Sequence, residues 1–148
     1  VEGQFDTQLF DYHLLKQKRF IAVASIHHPL AHQKITFEQL FAYPLLIREK
    51  GSGTRDILEN YLQQTIYPLS RFSHFIEVGS LSMIKTLLMD SQAVTFLYAG
   101  VVKEEIQNQQ LIELQIENFH ISRPMHFIYL KSHIHKDEYQ QLFHMMTE

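Results

Sequence analysis

Arg48-Glu49-Lys50-Gly51-Ser52-Gly53-Thr54-Arg55 lies between the apolar run Pro44-Leu45-Leu46-Ile47 and the helical pattern Asp56-Ile57-Leu58-Glu59-Asn60-Tyr61-Leu62. A strand, a glycine-rich turn and a helix, in that order, aim backbone N–H groups beyond the strand's carboxyl end. The helix start adds a partial positive charge, so an anion or a hydroxyl-rich small molecule is well received there. Gly51 and Gly53 permit positive φ and close approach of the backbone to a ligand. Ser52 and Thr54 suit either a helix cap or a ligand contact. The same spacing also suits a plain, well-capped strand-to-helix turn.

Outward from this turn, strands and helices alternate. Phe20–Ser25 reads as a strand buried on both faces, stopped by His28-Pro29. Thr36-Phe37-Glu38-Gln39 is a capping box opening a short helix through Tyr43. After the glycine turn comes a helix from about Thr54 to Gln64, then a strand His74–Val78. A helix led by Gly79-Ser80 follows, with Leu81, Ile84, Leu87 and Leu88 on one face. Further strands are expected at Ala93–Leu97, Leu111–Ile116 and Pro124–Lys131, with a short helix at Ala99–Gln107 between the first two. A closing helix at His135–Met146 shows Tyr139, Leu142, Phe143 and Met146 at i, i+3, i+4, i+7. The class is α/β with a three-layer, mainly parallel sheet. In such sheets ligands bind beyond the carboxyl ends of the strands. Three turns would line that edge: Gly51–Thr54, Gly79-Ser80 and Tyr98-Ala99-Gly100.

Composition narrows the chemistry. The 148 residues carry a net charge of −3, 45% hydrophobic residues and no cysteine. That excludes disulfides, thiolate metal sites and cysteine nucleophiles, and the absence of a basic excess argues against gripping nucleic acid through phosphates. No apolar run approaches the ~18 residues of a membrane span. His27, His28 and His32 fall in a turn around Pro29, without the fixed helical i, i+4 geometry of a zinc site, and they and the pair His133 and His135 read as solvated. His120 and His126 read as packing or strand-edge residues. The turn is neither a P-loop nor a nucleophile elbow. No catalytic pair, metal site or cofactor motif emerges. Arg55, a cation in the first turn of a helix, opposes the helix dipole, which hints at an anionic ligand or a partner carboxylate.

The ordered set Val1–Asp6, Phe20–Ser25 with His28-Pro29-Leu30-Ala31, Pro44–Arg55, and Glu77-Val78-Gly79-Ser80-Leu81-Ser82-Met83-Ile84-Lys85 resembles the C-terminal effector-binding domain of LysR-type transcriptional regulators. The chain departs from the family pattern at Ser91-Gln92 and Tyr98-Ala99. The resemblance implies two lobes like those of a type 2 periplasmic binding protein, with an effector between them. On that footing residues 1–12 end lobe one and make the first crossover, 13–132 form lobe two, and 133–148 are a helix returning to lobe one. The chain then reads as a truncated piece lacking the DNA-binding domain and most of lobe one.

The effector contacts implied are Gly51, Ser52, Gly53, Thr54, Gly79, Ser80 and Tyr98. The family also implies a homodimer or tetramer, with Ile57, Leu58, Tyr61, Leu62 and Phe75 as this lobe's share of the interface. A cytoplasmic sensing and oligomerisation module, touching DNA only through the missing domain and without a membrane, is the function implied. A lobe of a periplasmic solute-binding protein, or a small-anion enzyme on the same fold, are the alternatives.

Overall fold

The computed structural model describes residues 1–132 and 135–147. Its strands are β1 (Phe10–Ser25), β2 (Lys34–Ile35), β3 (Leu45–Ile47), β4 (Phe75–Glu77), β5 (Val94–Tyr98), β6 (Leu111–Ile116) and β7 (Ile121–Leu130). Its α-helices are α1 (Gly53–Gln63), α2 (Leu81–Met89), α3 (Lys103–Gln107) and α4 (Lys136–Thr147). The chain divides into two compact units, one of Val1–Arg19 with Ser122–Glu148 and one of Phe20–Ile121.

In the larger unit the strand order is β2-β6-β1-β5-β3-β4. The pairings β2–β6, β3–β4 and β3–β5 are parallel. The two made by the second half of β1, with β5 and β6, are antiparallel. The sheet is therefore mixed, parallel except where β1 runs through its middle.

Period-2 alternation splits the apolar side chains between the two faces. Phe20, Ala22, Leu45, Ile47 and Phe96 pack with Ile57, Leu58 and Leu62 of α1 and with Phe37, Leu40 and Phe41. Ile21, Val23, Leu46 and Leu97 pack with Ile84 and Leu88 of α2. Helices on both faces complete the three layers. On α2, Leu87 is exposed while Ile84 and Leu88 are fully buried, so the apolar stripe is narrower than the spacing predicts.

The segment opened by Thr36 is a 3-10 helix, Phe37–Ala42, with Thr36 N–H donating to Gln39 Oε1 at 2.8 Å. Pro44 follows Tyr43 and stops it before a full α-helix develops.

In the smaller unit β7 pairs with β1. Tyr139 and Phe143 of α4 dock: Phe143 stacks on His13 with ring centroids 4.6 Å apart, and Tyr139 lies 5.6 Å from Tyr129. Lys136 Nζ reaches Asp11 Oδ2 at 2.7 Å. Leu142 and Met146, expected on the same buried face, are exposed, because a single pair of strands covers only one narrow stripe of the helix.

The unit boundaries, at Arg19/Phe20 and Ile121/Ser122, fall inside β1 and β7. The first half of β1 alternates between half-buried Asp11, His13 and Leu15 and exposed Tyr12, Leu14 and Lys16. Its sheltered positions are mostly polar, so no hydrophobic period marks it as a strand.

Candidate functional site

β3, β4 and β5 run in one direction, so their carboxyl ends share an edge. Ile47 pairs with Glu77, and Leu46 with Thr95. The turn 48–52 thus follows β3 beside the segment 78–80 that follows β4. Tyr98 closes β5 at the same edge, where it pairs with Phe20 across the antiparallel contact.

The turn is built from local bonds. Ser52 N–H donates to Glu49 C=O at 3.1 Å, and Gly51 takes φ +91°. Gly53 has an ordinary φ as the first residue of α1, and a Cβ there would meet nothing within 4 Å. Only Gly51 uses positive φ; Gly53 leaves open space at the helix start. Ser52 is the N-cap residue, yet its hydroxyl makes no cap bond. It pairs instead with Thr54 Oγ1 at 2.9 Å. Two hydroxyls therefore stand together beside the first N–H groups of α1. Next along the edge, Ser80 caps α2 by accepting from Met83 N–H at 3.3 Å, and its hydroxyl lies 2.9 Å from that of Ser82. The edge thus offers hydroxyls and the free N–H groups of two helix starts, an arrangement suited to a small polar or anionic molecule.

Charged side chains brace this edge. Arg48 grips Glu49 with two bonds of 3.0 Å. That grip holds the Glu49 carboxyl below its usual range. Glu49 Oε2 also lies 3.8 Å from where a Cβ on Gly79 would stand. Arg55 is 5% exposed, and its guanidinium meets Glu59 Oε1 at 2.9 Å, Glu77 Oε2 at 2.9 Å and the Arg48 carbonyl at 3.0 Å. The hint of a partner carboxylate resolves into Glu59 and Glu77, whose charges offset the unfavourable end of the helix dipole. Lys50 is exposed. Tyr98 is buried, its ring 5.9 Å from that of Phe20.

A groove of about 450 Å³ lies elsewhere, at the C-terminal end of α1, lined by Glu59, Leu62, Gln63 and Thr65–Leu69. No predicted effector contact lines it, and the convergence of helix starts is at the other end of α1. The groove is a concavity beside the loop 65–69, apart from the hydroxyls and helix starts of the edge.

Of the expected interface residues, Ile57, Leu58 and Leu62 belong to the core, where the sheet covers them. Tyr61 packs edge-on to Phe119, with centroids 5.0 Å apart. Ile57, Leu58 and Leu62 are buried, and Tyr61 is half-buried against the same core. Phe75, 48% exposed on the terminal strand β4, is the one open to a partner, and the unpredicted Ile76 and Met83 are exposed as well.

The histidines also sort by position. His28 is buried: Leu30 N–H donates to Nδ1 at 3.0 Å and Nε2 lies 2.9 Å from the Gln92 carbonyl. It is therefore not the solvated residue expected of its cluster. His32 and His120 are exposed, and His126 packs against Phe5 and Tyr12. His133 lies outside the described residues. Among the described residues, no group of three or more acidic or histidine side chains converges as a metal site would require, and no helix is long and apolar enough to cross a membrane.

Comparison with known proteins bears on the family and the fold. The LysR substrate binding domain model matches residues 1–148. An uncharacterised HTH-type transcriptional regulator of Escherichia coli, YeiE, is 30% identical over 100 residues, covering 68% of this chain and 33% of that protein. The HTH-type transcriptional regulator CbbR of Xanthobacter flavus is 32% identical over 105 residues, 70% of this chain and 31% of that protein. The chain thus spans about a third of the length of such relatives. The Synechocystis CcmR regulatory domain, solved in complex with 2-PG, superposes with a TM-score of 0.77 at 22% identity, covering 99% of this chain and 70% of that one. The chain belongs to the LysR substrate-binding domain family, whose members are transcriptional regulators and not enzymes.

Proposed function

We propose that the chain is the effector-sensing and oligomerisation module of a cytoplasmic transcription regulator, and that its ligand is a small polar or anionic metabolite. The observation that carries this reading is the meeting of residues 51–54 and 79–80 at one carboxyl edge of adjacent parallel strands. The unit Phe20–Ile121 corresponds to lobe two, and the unit containing α4 to part of lobe one. β1 and β7 are then the two crossovers, since each unit boundary falls inside one of them. The 2-PG of the CcmR regulatory domain is the kind of ligand this edge suits.

Ligand binding would favour a closed arrangement of the lobes and so shift the geometry of an assembled dimer or tetramer. DNA contact belongs to a domain outside residues 1–148. The test is a thermal-shift screen of small carboxylates and phosphate esters on the full-length protein, repeated with Ser52→Ala and Thr54→Ala. A ligand that stabilises the wild type should lose most of its shift in both variants. Undiminished shifts in both would remove the turn from the binding site.

A further inference from the structure

Arg55 is the most deeply buried charge at the edge, and its three partners come from three different places. Glu59 is one turn further along α1, the Arg48 carbonyl ends the run out of β3, and Glu77 is the last residue of β4. Nη1 alone reaches both the Arg48 carbonyl and Glu77, at 3.0 and 2.9 Å. The two turns of the proposed effector wall are thereby joined by one side chain. The two ends of the Arg55–Glu77 pair differ in exposure: Arg55 is 5% exposed and Glu77 55%. Glu77 also sits on the terminal strand of the sheet, beside exposed Phe75 and Ile76.

We propose that Arg55 is a positioning residue that relays between the edge strand β4 and the turn 48–54, so that an event at either is felt at the other. This rests on the reading of that turn as an effector wall. The physical basis is geometric. A guanidinium is a rigid fork that holds several acceptors at fixed angles, and burial removes the water that would otherwise replace a lost partner. Anything that draws the exposed Glu77 carboxylate away, such as a partner's cation laid against β4, leaves the fork short of an acceptor. The Arg48 carbonyl, held by the same nitrogen, is then free to shift, and with it the hydrogen bond from Ser52 N–H to Glu49 C=O that shapes the turn. In the other direction, a ligand that fixes the turn fixes the fork and orders Glu77 on the assembly face.

The test is amide hydrogen exchange read by mass spectrometry on the full-length protein, without ligand, in the wild type, Glu77→Gln and Arg55→Lys. Glu77→Gln removes an exposed charge, so the fold should persist. Exchange in a peptide covering 48–54 should rise roughly three- to tenfold, the size set by the worth of a partly exposed charge-assisted bond. Arg55→Lys keeps the charge but not the fork, and should accelerate the same peptide. The β5 peptide 94–98 should keep its protection in both variants. Acceleration confined to 75–80 in Glu77→Gln would overturn the proposal, and so would acceleration spread evenly over 48–54 and 94–98. Because the measurement contains no ligand, a failed effector screen would count against the sensing role and leave the relay standing.

Discussion

Gly51 holds φ at +91°, whereas Gly53 two residues later opens α1 with an ordinary backbone and empty space around its Cβ position. An alanine at Gly51 takes on a left-handed strain of about 1–2 kcal/mol. At Gly53 it removes freedom from the unfolded chain and should add roughly 0.4–1 kcal/mol of stability. Urea denaturation of Gly51→Ala and Gly53→Ala should therefore move in opposite directions. If Gly53 is kept bare for a ligand, Gly53→Ala stabilises the free chain while weakening ligand binding.

His28 is the second residue whose role is decided locally. Leu30 N–H occupies Nδ1, so the ring proton sits on Nε2, which donates to the Gln92 carbonyl. Burial pushes the His28 pKa below its ordinary value, although the bond to Gln92 opposes the shift. The unfolded chain then binds a proton more readily than the folded one. The contribution of His28 is complete above about pH 6.5 and is lost as pH falls below it. The melting temperature should drop between pH 7 and pH 5.5, and the drop should be smaller in His28→Gln. The burial of His28 was not legible in the sequence, because its partner Gln92 is 64 positions away. Only the cluster with His27 and His32 was visible, and it suggested a solvated group.

Elements with a strong apolar period were the most legible. The six residues Leu111–Ile116 form β6 as expected, and α1 and α2 start within a residue or two of their expected positions. Apolar stripes that meet a sheet explain the agreement, helped at α2 by the Ser80 cap. Which apolar residues face the core and which face a partner was not legible, since both demand the same side chains. Leu58 on α1 and Leu142 on α4 read alike, yet Leu58 is 2% exposed and Leu142 is 45% exposed. Leu58→Ala should cost about 2–5 kcal/mol of unfolding free energy. Leu142→Ala should cost no more than about 0.5 kcal/mol. Equal losses in a denaturation series would contradict the packing described for the two helices.

Across the whole molecule, the alternation of strand and helix made the α/β class and the shared edge of the turns readable. The antiparallel passage of β1 through the sheet was not, because strand direction is fixed by non-local pairings, here Phe20 with Tyr98 and Ser25 with Leu111. Nor was the long first half of β1, whose sheltered face carries Asp11 and His13 in place of apolar residues. The candidate edge was legible because its chemistry lies in short contiguous motifs. The ion-pair brace behind it was only hinted at, since Glu77 is 22 positions from Arg55 and meets it only through the pairing of β3 with β4.

Binding of a small polar metabolite at this edge is open to direct observation. A crystal structure of the full-length protein, with the best stabilising compound from the thermal-shift screen, tests it most directly. Ligand oxygens are expected within hydrogen-bonding distance of the Ser52 or Thr54 hydroxyl and of the α2 start at Ser80. A ligand seated instead in the groove beside residues 65–69, with the turn 51–54 untouched, would contradict it.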